Sequence, residues 1–172
     1  MSDERVIQSK QHSIQLLPEY EGHLILDIGG GGEGIIGKLY GKNVVSIDLR
    51  KEELIECDNT FDTVTSFYSF MYMTQASQTK AISEIYRVLK PGGLFEIWDT
   101  QIPKYDGTLR DIYVSNLVIN LPDREPICTG YGVLMDELGQ DETFIRQLAI
   151  SKGFKIFDSE REEEHFNIKF EK

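Results

Sequence analysis

One stretch decides how this chain folds: Leu24-Ile25-Leu26-Asp27-Ile28-Gly29-Gly30-Gly31-Gly32-Glu33-Gly34. An apolar run ends in an acid and opens directly into glycines, and a short apolar segment, 35–40, follows. The pattern predicts a buried first strand, a turn that brings the main chain close to a ligand, and the start of a helix. Glycines remove the Cβ atoms that would hold a ligand away from the backbone. A glycine-rich surface turn would explain the glycines but not Asp27 or the strand around it.

A second acid stands in a matching position further along the chain. Residues 43–48 predict a second strand, which ends in Asp48, 21 positions after Asp27. In an open parallel α/β sheet, ligands bind outside the carboxyl ends of the strands, where the strand order reverses. A carboxylate at that place can accept two hydrogen bonds from the hydroxyls of a ribose. The two acids together therefore favour a nucleotide-type ligand.

The composition limits the function classes. A chain of 172 residues suits a single domain, here 1–172, with a real core. A net charge of -11 argues against a non-specific nucleic-acid or anionic-membrane binder. The two cysteines follow no metal-ligand spacing, and the histidines are too scattered to predict a metal site. With no signal peptide and no apolar run of membrane-spanning length, we expect a soluble cytoplasmic domain.

The N-terminal segment before the first strand predicts a helix over 2–17. Ser2 is a candidate N-cap, and the apolar residues between Val6 and Leu17 can share one face. Pro18 then breaks the pattern before the first strand begins.

The middle of the chain predicts a strand, a helix and a second strand. Residues 61–68 are rich in β-branched and aromatic residues, as strands are. A helix capped by Ser77 follows, ends at the proline–glycine turn 90–93, and leads into a strand over 94–99. Such a unit is a right-handed parallel crossover.

The last part of the chain changes character. Two apolar runs, 112–121 and 126–134, predict a β-hairpin within 100–139. The closing elements predicted are a helix over 141–152, capped by Asp141 and ended by Gly153, and strands over 154–158 and 165–170 joined by a solvated turn at 161–164.

Four of these segments resemble motifs of the class I S-adenosylmethionine-dependent methyltransferases, in the group of small-molecule and ubiquinone-type enzymes. They are Leu26-Asp27-Ile28-Gly29-Gly30-Gly31, the strand-ending Asp48, Phe61-Asp62-Thr63-Val64, and Ile85-Tyr86-Arg87-Val88-Leu89-Lys90-Pro91-Gly92-Gly93. The last is the most specific. The resemblance implies an α/β, Rossmann-like class I methyltransferase fold with a mostly parallel sheet flanked by helices. Its family strand order is 3-2-1-4-5-7-6, with the last strand antiparallel and a hairpin insertion after strand five.

The resemblance also implies S-adenosylmethionine as cofactor and assigns its contacts. They are Asp27, Gly29, Gly30 and Gly31 for the methionine part, Asp48 for the ribose, Leu49 for the adenine, and Phe67 beside the methionine. One departure is that Glu33 stands where the family pattern has its third glycine, although Gly34 restores a G-x-G-x-x-G spacing from Gly29.

A larger departure is the short interval between strands two and four. Only residues 49–60 lie where the family has a helix, strand three and a loop, and one crossover alone needs about a dozen residues. Either the chain has lost strand three, or a segment is missing from the sequence near Ile55 to Asp58. We favour the second, because 51–56 resembles the start of the preceding helix and 58–62 the end of the following loop. A Cα–Cα separation well above roughly 3.8 Å is then expected at one peptide bond.

The sequence indicates less clearly which residues would contact the methyl acceptor. Residues 68–73 predict an aromatic wall near the methyl group, with Tyr68 and Tyr72 as candidate substrate contacts, and the hairpin adds Tyr113 and Tyr131; core packing is the alternative for each. Methyl transfer from a sulfonium needs a base only when the nucleophile is protonated. We find no catalytic dyad, and the Asn-Pro-Pro-Tyr motif of amino-group methyltransferases is absent.

Three functions are compatible with these residues. The leading one is methyl transfer from S-adenosylmethionine to a small-molecule acceptor, with a homodimer as a candidate assembly and no nucleic acid or membrane partner expected. The second is a non-catalytic binding or partner protein on the same scaffold, which a true loss of strand three would favour. The third is an NAD-dependent oxidoreductase, which the G-x-G-x-x-G spacing alone permits but Asp27 and the turn 90–93 disfavour.

Overall fold

Ten strands and three α-helices make up the part of the chain described by the computed structural model, residues 5–30, 34–47 and 57–172. The strands are β1 (Val6–Gln8), β2 (His12–Gln15), β3 (Ile25–Ile28), β4 (Val44–Ile47), β5 (Phe61–Phe67), β6 (Leu89–Thr100), β7 (Ile112–Asn120), β8 (Ile127–Leu134), β9 (Lys155–Glu162) and β10 (His165–Glu171). The helices are α1 (Ile35–Tyr40), α2 (Gln75–Val88) and α3 (Glu142–Lys152).

The larger of two sheets has the strand order β4-β3-β5-β6-β10-β9. The first four strands are parallel, whereas β10 is antiparallel to both β6 and β9. This is the expected order 2-1-4-5-7-6, including the antiparallel last strand. Within the described residues β4 is an edge strand, at the side where a third family strand would pair. Residues 48–56 lie outside the described residues, and so do Ile55 and Glu56 of the interval from Ile55 to Asp58 in which the break is expected.

Local signals at the helix ends explain where α2 and α3 begin and end. The Asp141 carboxylate accepts a hydrogen bond from the Thr143 N–H at 2.9 Å, and Gly153 closes α3 with φ 112°, a left-handed conformation that suits glycine. The cap of α2 is Thr74, whose hydroxyl accepts from the Ser77 N–H at 3.2 Å. The Asp141 and Gly153 predictions are therefore confirmed, whereas the predicted Ser77 cap was wrong by three residues.

The turn at residues 90–93 interrupts the pairing between β5 and β6. The register passes from Phe61 opposite Leu89 to Thr63 opposite Leu94, so residues 90–93 bulge out of the ladder. Gly92 has φ 76°. Helix α2 thus ends at Val88, close to the position that the proline and glycines predict.

The predicted helix over 2–17 was wrong, because the described part of that segment forms β1 and β2. Both strands pair in parallel with β7, far along the chain. From Ser13 to Leu16 the side chains alternate between exposed and buried, with Ile14 and Leu16 inside. That period of two fits a strand on a core, and the partner strand supplies the hydrogen bonds that a helix would have made internally.

The predicted hairpin over 112–134 is confirmed and forms the smaller sheet. β7 pairs antiparallel with β8 on one side and parallel with β1 and β2 on the other. Side chains of β7 alternate strictly between buried and half-buried positions, so one face of this sheet packs inward. The closing strands β9 and β10 are joined by residues 163–164, a tighter turn than the predicted 161–164.

The two faces of the larger sheet are covered differently. On one face lie α2 and α3, over an apolar core whose centre includes Leu26, Val64, Ile82, Phe95, Ile145 and Phe170. On the other face lie α1 and the smaller sheet, over a second core that includes Ile14, Ile25, Ile36, Phe67, Leu117 and Ile119. We call these the helix-covered face and the sheet-covered face.

Candidate functional site

A cleft of about 1070 Å³ opens at the carboxyl ends of β3, β4 and β5. Its walls come from the glycine turn after β3, the segment 67–74 that follows β5, the exposed side of α2, and Tyr131 from the hairpin. This is the edge where ligands bind in open parallel sheets. The cleft is therefore the candidate functional site.

The glycine turn has no room for side chains at two positions. A Cβ on Gly30 would lie 1.9 Å from the Asp27 Oδ2, and one on Gly34 would lie 2.3 Å from the Gly30 carbonyl oxygen. Gly29 has φ 81°, and its N–H donates to the Ile47 carbonyl at 2.8 Å. The turn is therefore pressed against the Asp27 carboxylate and tied to the end of β4. Glycine is needed here for close approach as well as for conformation.

Asp27 is a buried carboxylate that faces the cleft. Its side chain is 1% exposed, and its Oδ1 accepts a hydrogen bond from the Thr65 hydroxyl at 2.7 Å. Burial raises the pKa of Asp27 to about 7, although the Thr65 hydrogen bond acts in the opposite direction. Within the described residues no basic side chain forms an ion pair with Asp27. A positively charged ligand group would supply the missing counter-charge.

The structure brings most of the predicted residues to this cleft. The residues that line it are Asp27, Gly29, Gly30 and Phe67 of the cofactor set, and Tyr68, Tyr72 and Tyr131 of the substrate set. Tyr113 does not line it: the ring is 3% exposed, and its hydroxyl lies 2.9 Å from the Thr100 hydroxyl. Gly31, Asp48 and Leu49 lie outside the described residues.

Tyr68 occupies an unusual position directly after β5. Its φ of 48° lies in the left-handed region, where a bulky residue is rare, and its ring is 2% exposed. The hydroxyl lies 2.9 Å from His165 Nδ1, and the ring stacks on Tyr131 with centroids 5.6 Å apart. Neighbours on two other strands therefore hold Tyr68 in place at the end of the cleft.

A buried hydrogen-bond network holds the segment that follows Tyr68. The Asp99 carboxylate accepts from the Met71 N–H at 3.3 Å and from the Gln140 side-chain amide at 2.7 Å. Gln78 donates to the Gln140 amide oxygen at 2.9 Å and to the Phe70 carbonyl at 3.0 Å. This wall of the cleft is thus fastened to β6, α2 and the start of α3. Burial raises the pKa of Asp99 to about 7, opposed by the hydrogen bonds that it accepts.

Three contributors to the site could not be found from the sequence. Thr65 orients Asp27, His165 contacts Tyr68, and Gln140 orients Asp99. Each lies far in the chain from its partner, and none stands in a motif. The histidines expected to be scattered are partly together, since the rings of His12 and His165 stack with centroids 4.3 Å apart. No group of three metal-ligating side chains occurs among the residues that the structure describes.

The helices of the described ranges are all too short or too polar to cross a bilayer. Both cysteines, Cys57 and Cys128, are exposed and unpaired.

Comparison with known sequences supports the resemblance. Residues 52–97 match a family model described as a methyltransferase domain. The chain is 32% identical over 116 residues to the ubiquinone/menaquinone biosynthesis C-methyltransferase UbiE of Hydrogenovibrio crunogenus, covering 49% of this chain and 44% of that protein. It is 38% identical over 90 residues to the enzyme of the same description from Brucella canis, covering 48% and 33%. The chain thus spans less than half the length of these curated relatives.

The first of these alignments includes positions of the relative that this chain lacks. It extends over 116 positions yet uses only 49% of this chain, so the relative has residues that lack a counterpart here.

Solved structures share the fold. An S-adenosylmethionine-dependent methyltransferase from Mesorhizobium loti superposes with a TM-score of 0.55 at 13% identity, covering 91% of this chain and 94% of that one. The 1,6-didemethyltoxoflavin-N1-methyltransferase of Burkholderia thailandensis, solved with 1,6-didemethyltoxoflavin and S-adenosylhomocysteine, gives 0.51 at 14% identity, covering 88% and 72%. These likenesses confirm the predicted fold class.

Proposed function

We propose that this chain, which has the fold of the class I S-adenosylmethionine-dependent methyltransferases, transfers a methyl group from S-adenosylmethionine to a small-molecule acceptor. The single observation that carries the proposal is the buried Asp27 carboxylate beneath the glycine turn, without a basic partner among the described residues. S-adenosylmethionine has an α-ammonium group that would provide that partner. The chain's likeness to methyltransferases, in the family model and in curated relatives, supports the same reading.

The proposed roles follow the walls of the cleft. Asp27, Gly29, Gly30 and Gly31 would hold the methionine part and Phe67 would flank it, while Asp48 and Leu49 would contact ribose and adenine. Tyr68, Tyr72 and Tyr131 would border the acceptor. The acceptor's identity is open, since the relatives named above act on different molecules.

Methyl transfer from a sulfonium is an in-line displacement. The acceptor's nucleophilic atom forms a bond to the methyl carbon while the carbon–sulfur bond breaks, and S-adenosylhomocysteine leaves. Catalysis can come largely from alignment of the reacting atoms and exclusion of water. The fastened segment 67–74 and the packed ring of Tyr68 provide rigid walls for such alignment. A base is required only if the acceptor atom carries a proton at working pH.

The decisive experiment is calorimetric titration with S-adenosylhomocysteine, with NAD titrated in parallel. We expect Gly30→Ala to weaken S-adenosylhomocysteine binding at least about tenfold, since the new Cβ must displace the Asp27 carboxylate or the turn. Gly132→Ala in β8 is the matched control, because its Cβ would lie 3.7 Å from the nearest atom, an ordinary contact. Equal affinities for the two variants, or preferential binding of NAD, would contradict the proposal.

A second variant tests the ribose contact. Asp48→Ala removes two charge-assisted hydrogen bonds at about 1.5–3 kcal/mol each, so the same titration should show strongly weakened binding. A folded variant with unchanged affinity would mean that the ribose binds elsewhere. Methyl transfer itself is tested with labelled S-adenosylmethionine and pools of small metabolites.

One observation favours a second candidate, a non-catalytic partner protein on this scaffold. The chain provides only residues 48–60 between β4 and β5, and β4 is the edge of the described sheet. The outcomes differ: a chain that binds neither S-adenosylmethionine nor its product supports the partner protein. We further propose that the protein works in the cytoplasm, where its exposed cysteines remain reduced.

A further inference from the structure

A second cavity, of about 770 Å³, lies on the sheet-covered face. It lies between β2 of the smaller sheet and strands β6, β9 and β10 of the larger one, with the end of α1 at one side, and it opens to solvent. Tyr68 is the lining residue that it shares with the cofactor cleft. We call it the intersheet cavity. Apart from Tyr68, none of its lining residues has a role in the proposed methyl transfer.

Acidic side chains predominate in the wall of the intersheet cavity. They are Glu19, Glu96, Asp158, Glu160 and Glu162. The two basic side chains in the wall, Lys169 and Arg161, already have anionic partners. The Lys169 ammonium lies 2.6 Å from the Glu19 carboxylate, and the Arg161 guanidinium lies 3.4 Å from Glu142, which is not part of the wall. The cavity therefore keeps a net negative charge.

Glu96 gives that charge a fixed place deep in the cavity. Its side chain projects from the middle of β6, and the residue is 3% exposed. The carboxylate accepts hydrogen bonds from the Tyr20 hydroxyl and from the Asn167 amide at 3.0 Å, while the Lys169 ammonium is 3.9 Å away. A buried carboxylate with neutral donors and only a distant cation is incompletely compensated.

Aromatic rings stand beside Glu96 in the same wall. Trp98 follows two positions along β6 and therefore projects from the same face, and Tyr20, Tyr40 and Tyr68 also line the cavity. The cavity is bordered as well by His165, which is 3% exposed and whose Nε2 is buried without a hydrogen-bond partner. Aromatic faces together with a carboxylate are the combination that binds organic ammonium ions.

We propose that the intersheet cavity is a second ligand site and that it binds an organic ammonium ion. The positive charge would lie against Glu96, the apolar substituents against the ring of Trp98, and the exposed carboxylates of β9 at the entrance would attract the cation. An anionic ligand would meet this net negative charge without a free basic group in the wall. Because the two cavities share only Tyr68 among their lining residues, this ligand and the cofactor would occupy different sites.

The test uses the chain's single tryptophan, Trp98, as a reporter inside the cavity. Three probes that share a benzene ring, namely benzyltrimethylammonium, benzyl alcohol and benzoate, are titrated at a pH above the raised pKa of Glu96, where its carboxylate is charged, while Trp98 fluorescence is recorded. We expect saturable change with the cation, weaker change with the alcohol and none with benzoate. Saturating S-adenosylhomocysteine should leave the cation's response in place. Stronger binding of benzoate, no response to the cation, or competition with S-adenosylhomocysteine would overturn the proposal.

Two variants locate the charge that the cation recognises. Glu96→Gln should weaken benzyltrimethylammonium binding by roughly tenfold or more, whereas Glu125→Gln changes net charge equally at an exposed turn outside the cavity and should leave it unchanged. Should Glu96→Gln fail to fold, Glu160→Gln at the exposed rim provides the comparison, with an expected weakening of about two- to threefold. A folded Glu96→Gln protein that binds as the parent does would refute the assignment.

Discussion

The two faces of the larger sheet differ in how their coverings are specified. The helix-covered face is built from α2 and α3, each a continuous segment with its own start and stop signals, over a core of aliphatic and phenyl groups. The sheet-covered face is built from β1, β2, β7 and β8, and the first two pair with a strand about a hundred residues away. Local sequence rules describe the first face well, whereas on the second face they predict the β7–β8 hairpin but not β1 and β2.

The two faces also differ in the polar side chains that they bury. Beneath the smaller sheet lie the Glu96 carboxylate with Tyr20, and the hydrogen-bonded pair of Thr100 and Tyr113. On the helix-covered face lie the Asp99 carboxylate and the side-chain amides of Gln78 and Gln140, joined by hydrogen bonds. The helix-covered face is thus expected to provide most of the stability, whereas both faces contribute to the dependence on pH, through Asp99 on the helix-covered face and Glu96 on the sheet-covered face.

The largest expected effect tests the helix-covered core. Phe95 is fully buried, with ring centroids of Phe70, Phe154 and Phe170 at 5.7–6.0 Å. Phe95→Ala should lower the free energy of unfolding by about 3–5 kcal/mol, measured by urea denaturation. Phe157→Ala is the matched control, because that ring is 62% exposed and should cost less than about 1 kcal/mol. Similar losses for both would mean that the helix-covered core is not packed as described.

The next largest expected effect concerns Glu96, one of the polar side chains by which the two faces differ. Burial raises the pKa of Glu96 to about 7, opposed by hydrogen bonds from Tyr20 and Asn167. Since the folded state then holds the proton more tightly than the unfolded chain, this stability is present below about pH 4.5 and is lost as the pH rises through 7. Over that window Glu96→Gln should remove up to about 3 kcal/mol of the decline in unfolding free energy.

The unfolding free energies of the parent protein and of Glu96→Gln must be compared with each other at each pH. Asp27 and Asp99 have pKa values of about 7 as well, so the parent's decline contains their contributions. These remain in Glu96→Gln, and the difference between its profile and the parent's isolates Glu96. The exposed Glu125→Gln should follow the parent at every pH. A Glu96→Gln profile parallel to the parent's would show that Glu96 is solvated.

How far the sequence predicts the molecule depends on the range of each interaction. The Asp141 cap, the Gly153 stop and the cleft formed around Asp27 and Gly30 follow from adjacent residues and their periodicity, whereas the strand order followed only from the resemblance to class I methyltransferases. The N-terminal strands do not, because a short segment with spaced apolar residues fits a helix or a strand until its partner is known. Likewise His165 contacts Tyr68 only because β10 folds back beside β6.

The smallest expected effect tests whether β1 and β2 pair with β7 as strands. Between β1 and β2 the chain stays attached to β7 through Ser9, whose N–H donates to the Val114 carbonyl at 2.9 Å. The Ser9 hydroxyl accepts from the Asn116 N–H at 2.9 Å, a donor that the interrupted ladder would leave unpaired.

Ser9→Ala should therefore cost about 1–2 kcal/mol of unfolding free energy and increase amide exchange at Asn116, because a largely buried N–H loses its acceptor. Ser13→Ala is the matched control: the Ser13 hydroxyl accepts only from the exposed Asn120 side chain, so its loss should cost less than about 0.5 kcal/mol. If the segment were helical in solution, neither substitution would alter exchange at Asn116. Selective exchange at that one amide would show that the bond from Ser9 makes β1 and β2 a single interrupted edge of the smaller sheet.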